Sequence, residues 1–583
     1  MCGEALNFRS ENGFMVGREL LYPLSHYLDC VLNILQERED RPFLNYAAEK
    51  AEENRISVIE APTGYGKSML SQAFALRSLK EGLKCIVAFP LRTLLEDQLK
   101  KFRNLVEKSG FDGENVGARY MHYQESRYLI KPITLTTIDT LSLTLFGIAP
   151  EDLEAALHSY DGTLTRSLGH YLFSRAMVFL SDVVLDEVHL LSDTTKSLNF
   201  LIALIRITAS QGGRALFMSA TIPKALEELL RRECGDVGLH ITRFSEKPDK
   251  DFLDERRRKK YDVSVEKLNH DKFEKILGWV KEEMGRGFKR ALVVFNTVNE
   301  AIEFYKKAKT DLNVSLDKML LLHSRFAAED REAKMKKIES LKKCSEYLIV
   351  STQVIEAGVD ISSNLFISDL APASTLIQRV GRFLRYRGED EGKLYLWYEK
   401  KEDGGDGKYK GVYDLNLLEK TLSFLNRKDV KFHDQESYQP LLDYVYDESA
   451  FHLDPKNIRK LLSIPYVLES PREAVKIFIQ LEGSFVRDDT IVPVIPSSIT
   501  YEALSTKELM KHIVPINSSL LFRLKPKEML VVKEEKSAKE PFGKIWDKEG
   551  LLTIVFKPYF LAFIVDGEYD EELGLVIKLE EAS

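Results

Sequence analysis

Paired cysteines are missing from this chain. Its five cysteines, Cys2, Cys30, Cys85, Cys234 and Cys344, are scattered without a single CxxC spacing. That excludes a disulfide framework, a thiolate zinc site and a cysteine-ligated iron-sulfur cluster, and leaves the expectation of reduced thiols in a cytoplasm. Export is not expected either, because MCGEALNFRSENGF at the start has no apolar core of signal-peptide length. Long hydrophobic runs are absent too. The most apolar late stretch, LLTIVFKPYFLAFIV at 551–565, is broken by Lys557 and Pro558, so strands of a soluble domain are expected there and no membrane association. The net charge is -7, so a polyanion partner would need a local groove rather than the surface as a whole. Histidine is thin: past residue 405 only His433, His452 and His512 remain, and the His-Asp pairs at 270–271 and 433–434 stand alone. A two-metal nuclease centre needs a denser set of ligands.

What is present is a large globular chain. At 583 residues it exceeds one hydrophobic core, and three or more domains are expected. Hydrophobic residues make up 44% and charged residues 30%, the latter above the roughly 25% of an average domain, which excludes a disordered chain.

Residues 56–70 read ISVIEAPTGYGKSML: a β-branched strand, a turn with Gly64 and Gly66, then Lys67 and Ser68 opening a helix. Such a turn lets backbone N–H groups close around phosphate oxygens. Lys67 then reaches the terminal phosphates, and the Ser68 hydroxyl is placed to ligate Mg²⁺. The strict phosphate-loop pattern asks for glycine where Ala61 stands.

Farther on, VVLDEVHLL at 183–191 ends an aliphatic run in Asp186, Glu187 and His189. Two readings fit this stretch in isolation: a buried strand meeting solvent, or carboxylates that hold Mg²⁺ and position a water for attack on phosphate. The cradle upstream favours the second.

Strand-like segments KCIVAF (84–89), ITLTTI (133–138), DVVLD (182–186) and RALFMS (214–219) alternate with helical patterns. That alternation predicts a parallel sheet covered on both faces. The polar, heavily charged stretch EKPDKDFLDERRRKK at 246–260 reads as a linker. Its basic cluster, residues 256–260, admits a nucleic-acid contact as the alternative. Beyond it RALVVFN, MLLLHS, EYLIVST, NLFISDL and KLYLWY repeat the alternation and predict a second α/β domain.

In LIQRVGRFLR (376–385) the spacing of Gln378, Arg382 and Arg385 puts all three along one helix face. Such a row is either a surface ladder or the cationic group that a phosphoryl-transfer site requires, a contribution of about 10³ to 10⁵ in rate. Glycines at 404, 405 and 407 suggest a flexible junction before a less readable C-terminal region.

Taken together, these motifs resemble the superfamily 2 helicases and, within them, the CRISPR-associated helicase of type I interference systems. The resemblance covers roughly residues 40 to 400 and rests on APTGYGKS, AFPLRTLLEDQ, TTIDTL, DEVH, SAT, VVFNTVNEA, LLHSRF, STQVIEAGVD and QRVGRFLR. It implies two tandem RecA-like parallel-sheet α/β domains, at 1–245 and 263–404, joined by a linker at 246–262. A mixed α/β accessory domain is expected at 405–583.

The resemblance also implies ATP held by Ala61, Pro62, Thr63, Gly64, Tyr65, Gly66, Lys67 and Ser68, with Gly358 and Asp360 near the ribose. Mg²⁺ would be held at Ser68 and Asp186, and Glu187 would orient water. Gln378, Arg382 and Arg385 would complete the catalytic set. Arg92, Thr137, Asn296 and Thr352 would contact single-stranded DNA. His189, Ser219, Ala220 and Thr221 would couple the two sites.

Residues 41–44 read RPFL where relatives often place an adenine-reading glutamine, so adenine selection loses that support. The expected partners are single-stranded DNA, a separate HD nuclease subunit and an RNA-guided CRISPR surveillance complex. A repair or RNA helicase on the same scaffold is the alternative, as is a nucleotide-gated scaffold without turnover.

Overall fold

The computed structural model describes residues 22–36, 41–120, 123–152, 156, 170–356, 358–399, 409, 411–466, 472–499, 504–533, 536–543, 548–555 and 559–577. Cys2, the N-terminal stretch, Lys557, Pro558 and the glycines at 404, 405 and 407 lie outside the described residues. The chain forms two compact units: residues 1–252 with 451–477, and residues 253–450 with 478–583.

The first unit is built on an eight-stranded sheet of order β4-β3-β5-β2-β6-β7-β1-β8. Its strands are β1 (Ile56–Glu60), β2 (Lys84–Phe89), β3 (Val116–Tyr120), β4 (Tyr123–Gln124), β5 (Ile133–Thr137), β6 (Ser181–Leu185), β7 (Ala215–Ser219) and β8 (Leu239–Arg243). All pairings are parallel except β3 with the short β4. The strands are near-continuous runs of buried aliphatic residues because helices cover both faces. Parallel order also sends the C-terminal end of every strand but β4 to one edge, where loops collect. The segment 451–477 belongs to this unit. Its helix Pro455–Ser463 lies against Thr195–Ser210, and the amide of Asp454 donates to Asn199 Oδ1 at 3.0 Å.

The second unit has two sheets. One is parallel, of order β11-β12-β10-β13-β14-β9, from β9 (Val263–Lys267), β10 (Arg290–Val294), β11 (Met319–Leu322), β12 (Tyr347–Ser351), β13 (Leu365–Asp369) and β14 (Lys393–Tyr398). Its core holds Phe295, Phe304, Trp279 and Trp397. The other is mixed, of order β16-β15-β19-β17-β18, from β15 (Ile491–Pro496), β16 (Val514–Asn517), β17 (Glu528–Lys533), β18 (Lys536–Pro541) and β19 (Phe560–Val565). A hairpin of β20 (Glu568–Asp570) and β21 (Gly574–Val576) follows.

The structure departs from expectation in three places. The stretch 246–260 contains a helix, Lys250–Arg257, started by Asp249, whose Oδ1 accepts from the amide of Phe252 at 3.0 Å; the boundary between the units falls inside this helix. The run 551–565 is only half strand, because Leu551, Leu552 and Ile554 belong to the helix Lys548–Val555, and Leu551 and Ile554 pack in the core of the mixed sheet. A short apolar run does not by itself distinguish the two states.

The third departure concerns the arginine row. The helix Ala373–Val380 ends before Arg382 and Arg385, at Gly381. There the chain turns to bridge Ser363: Leu384 donates to Ser363 O at 2.8 Å and Ser363 to Arg382 O at 2.9 Å. Leu384 adopts a left-handed backbone (φ 45). Gln378, Arg382 and Arg385 therefore do not share a helix face; a backbone bridge to the loop before β13 overrides the helical spacing.

Candidate active site

The phosphate loop leaves β1 at Glu60 and enters the helix Lys67–Lys80 through Gly66, which has a left-handed backbone (φ 105), as has Gly64 (φ 81). Glycine is the residue that takes this conformation at little cost. The loop is pinned from behind. The Ala61 amide donates to Ser219 O on β7 (3.0 Å), and Tyr65 is fully buried, its hydroxyl donating to Asp249 (3.0 Å) and accepting from the Phe43 amide (3.2 Å). Phe43, Phe244 and Phe252 pack edge-on around the Tyr65 ring, and the Arg41 guanidinium lies 5.3 Å from its centre. Residues 41–44 thus brace the loop through Tyr65.

Lys67 is buried and its ammonium donates to Ala61 O at 2.9 Å. Asp186 follows β6, is 6% exposed, and accepts from the Glu187 amide at 2.9 Å. Burial first, and the adjacent Glu187 carboxylate second, push the Asp186 acid up to about 7, against the pull of Lys67. A buried carboxylate held against a like charge is matched by a divalent cation, which relieves both causes at once.

The donors available are oxygens: Asp186 and the Ser68 hydroxyl, which makes no hydrogen bond among the described residues. Such a set suits Mg²⁺ rather than a softer metal. Among the described residues no group of three or more His, Cys, Asp or Glu side chains could hold a metal, and no helix is long and apolar enough to cross a membrane.

Glu187 has a left-handed backbone (φ 52) where β6 gives way to the turn Val188–Leu191. For a non-glycine residue this costs on the order of 1–2 kcal/mol. The reversal brings His189 Nδ1 to 3.4 Å from Glu187 Oε2 and also 3.4 Å from Ser219 Oγ. Ser219 Oγ in turn donates to Thr221 O and accepts from the Thr221 amide. Burial lowers the His189 pKa, against the pull of the Glu187 carboxylate. The DEVH and SAT segments, 30 residues apart, therefore touch through one imidazole.

In the second unit Arg385 pairs with Asp360 at 3.0 Å, and Asp360 also pairs with Lys342 at 3.0 Å. Arg382 is buried and donates to the carbonyls of Ile355 and Glu356. Gly358 has φ 78. Gln378 is buried with its amide nitrogen unsatisfied.

The expected strand contacts fare unevenly. Arg92 is half-buried beside Glu96 (2.6 Å) and the Tyr120 ring, and Thr137 caps the helix Ile138–Leu145. Thr352 is 2% exposed and Asn296 4%. The Asn296 amide is used internally, donating to Leu370 O and accepting from Arg379. As placed, Asn296 is interior rather than a surface for a strand, because Arg379 draws it in.

Arg379 was not singled out by motif reading. It is 0% exposed and joins Glu356, Ser368, Asp369 O, Asn296 and Tyr413. A second arginine between Gln378 and Arg382 was its only sequence signal.

Two family models match the chain: DEAD/DEAH box helicase over residues 44–229, and CRISPR-associated nuclease/helicase Cas3, C-terminal, over residues 288–388. The CRISPR-associated nuclease/helicase Cas3 of Methanothermobacter thermautotrophicus is 26% identical over 423 residues, covering 67% of this chain and 45% of that protein. The chain spans about half the length of the curated relatives it matches. The crystal structure of T. fusca Cas3-ATP superposes with a TM-score of 0.63 at 16% identity, over 94% of this chain and 72% of that one. A chain of a CRISPR RNA-guided surveillance complex, pre-nicking, superposes with a TM-score of 0.56 at 17% identity, over 94% and 71%. These likenesses bear out the two parallel α/β sheets and the helicase fold.

Proposed function

We propose that this chain, a superfamily 2 helicase of the Cas3 type by the domains it carries, is an ATP-driven translocase on single-stranded DNA. It would move 3′ to 5′, unwind target DNA in CRISPR interference and pass the strand to a separate HD nuclease subunit beside an RNA-guided surveillance complex. The observation that carries the reading is the gathering of Lys67, Asp186, Glu187 and His189 at one edge of a parallel sheet, with His189 reaching Ser219.

Mg²⁺, when bound by Ser68 and Asp186, would neutralise charge on the phosphates. Lys67 would then exchange its bond to Ala61 O for a phosphate oxygen. Glu187, carried on its reversed backbone, would hold the attacking water. His189 and Ser219 would report the state of that carboxylate to the loop after β7. Arg382 and Arg385 are assigned the transferring phosphoryl group. Retention of both carboxylates and both arginines supports turnover over a scaffold role.

The test is ATP hydrolysis with and without single-stranded DNA, together with displacement from duplexes tailed at either the 3′ or the 5′ end. Hydrolysis should rise with the strand, vanish in Lys67→Ala and Glu187→Gln, and drive displacement only from the 3′ tail. Normal turnover in Glu187→Gln overturns the water assignment. Stimulation by RNA equal to that by DNA of the same sequence moves the reading to the RNA helicase alternative.

A further inference from the structure

The turn that carries Arg382 and Arg385 is held from outside at each step. Ser363 donates to Arg382 O (2.9 Å) and accepts from the Leu384 amide (2.8 Å), and Ser362 Oγ accepts from the Arg385 amide (2.8 Å). The carbonyl of Phe383, between them, goes to a side chain from farther along the chain. His433, just before the helix Gln435–Val445, donates from Nε2 to Phe383 O at 2.7 Å. Among the described residues that oxygen has no other partner. Phe383 is 0% exposed, so without the imidazole its carbonyl would be buried and unpaired.

His433 is itself fixed. A carbonyl oxygen only accepts, so Nε2 carries the proton and Nδ1 accepts, from the Tyr261 hydroxyl at 2.9 Å. The same hydroxyl accepts from the His433 amide at 3.3 Å. Tyr261 meets the Phe383 ring edge-on with centres 5.2 Å apart, and Gly392 comes so near that a Cβ there would lie 2.5 Å from Phe383 Cε2. Burial first, then Arg256, hold the His433 pKa well below its usual 6.5, against the pull of the Phe383 carbonyl. At pH 7 one neutral tautomer therefore serves both bonds.

Leu384, the residue between Phe383 and Arg385, has a left-handed backbone (φ 45), which an aliphatic residue keeps only where its surroundings over-determine it. The strain lies where two guanidinium groups must be aimed. His433 belongs to one of the two His-Asp pairs that stand alone in the sequence, and the structure gives each half of that pair a separate use: Asp434 starts the helix Gln435–Val445 by accepting from the Glu436 amide (3.2 Å), while His433 serves the turn.

We propose that His433 is a positioning residue for ATP hydrolysis. Its bond to Phe383 O, backed by Tyr261, holds the turn 382–385 and with it the direction of Arg382 and Arg385; it acts through the arginines and not on the substrate. The role rests on the assignment of those arginines to the transferring phosphoryl group, and deepens it by naming what fixes them.

The test compares steady-state ATP hydrolysis, with single-stranded DNA present, in the full-length wild type, His433→Leu, His433→Gln, Tyr261→Phe and Arg385→Ala, at a temperature where circular dichroism shows each folded. His433→Leu should lower kcat by about 10- to 100-fold, the scale of a small misplacement of a catalytic group, with KM and the affinity for a fluorescent ATP analogue within a few-fold of wild type. His433→Gln, whose amide nitrogen reaches the same carbonyl, should recover most of that loss. Tyr261→Phe keeps the ring and lets the imidazole turn, so its kcat should fall between the two; it removes a single hydroxyl and decides the matter should His433→Leu not fold. Wild-type kcat in both His433→Leu and Tyr261→Phe, beside a slow Arg385→Ala, overturns the role of His433 and leaves the arginine assignment standing. A loss of nucleotide affinity as large as the loss of kcat, or equal losses in His433→Leu and His433→Gln, also overturns it, in favour of a general effect on the fold. Normal hydrolysis by Arg385→Ala sinks the arginine assignment and the role of His433 together.

Discussion

The hydroxyl of Tyr65, in the middle of the phosphate loop, is bonded to Asp249, 184 residues later and immediately before the helix Lys250–Arg257. The glycine loop after β1 is thereby tied to the start of the segment that leaves the first unit.

Tyr65→Phe keeps the ring packing and removes two hydrogen bonds, leaving the Phe43 amide and the Asp249 carboxylate buried without that partner. A cost of about 1–3 kcal/mol is expected, seen as a lower thermal midpoint, with KM for ATP raised more than kcat is lowered. Asp249→Asn, which still accepts the bond, should be milder on both.

Arg385→Ala should lower kcat for ATP hydrolysis by about 10³ to 10⁵ while leaving nucleotide binding within a few-fold. Arg385→Lys, which keeps the charge and loses the planar fork, should be intermediate. A fall in thermal midpoint of the second unit that accounts for the lost turnover would assign Arg385 to structure instead.

Arg379→Met should unfold or strongly destabilise the second unit. It leaves the Glu356 carboxylate and the Asn296 carbonyl oxygen without their buried partner, which costs on the order of 3–5 kcal/mol. Thermal denaturation followed by hydrogen exchange over β10 and β13 reads it out, with Arg379→Lys intermediate.

His323 gives a pH dependence. Burial lowers its pKa to about 3 from 6.5, with Arg325 and Lys334 also opposing protonation and the Leu573 carbonyl favouring it. A depressed histidine leaves the unfolded form binding more protons, so this contribution is full above pH 6.5 and is lost as pH falls from 6.5 towards 3. At pH 5 the loss is about 2 kcal/mol. Exchange at the Leu575 amide, which donates to Arg325 O, should accelerate, corrected for intrinsic rate, relative to the rest of the mixed sheet as pH drops from 7 to 5. In His323→Gln that trend should be absent.

What could be read in advance was local. The phosphate loop and DEVH each carry their geometry within a few residues: glycines where the backbone turns left, a carboxylate at the end of an aliphatic run. KCIVAF matches β2 residue for residue. What could not be read depends on distant partners. The bridge from Ser363 that ends the helix before Arg382 comes from 19 residues away. Arg379 and Asn296, 83 residues apart, look like surface groups until Tyr413 and Glu356 are placed around them. The helix at 548–555 has the composition of a strand and takes its state from the sheet it covers.

The return of residues 451–477 to the first unit sets an order of events on the ribosome. The helix Pro455–Ser463 belongs against Thr195–Ser210, yet it is synthesised only after all of residues 253–450. At about 5–20 residues per second, that leaves roughly 10–40 s in which the nascent first unit carries an uncovered flank. A cell making this protein must shelter that flank from aggregation, and a recombinant fragment stopped near residue 400 would carry it permanently.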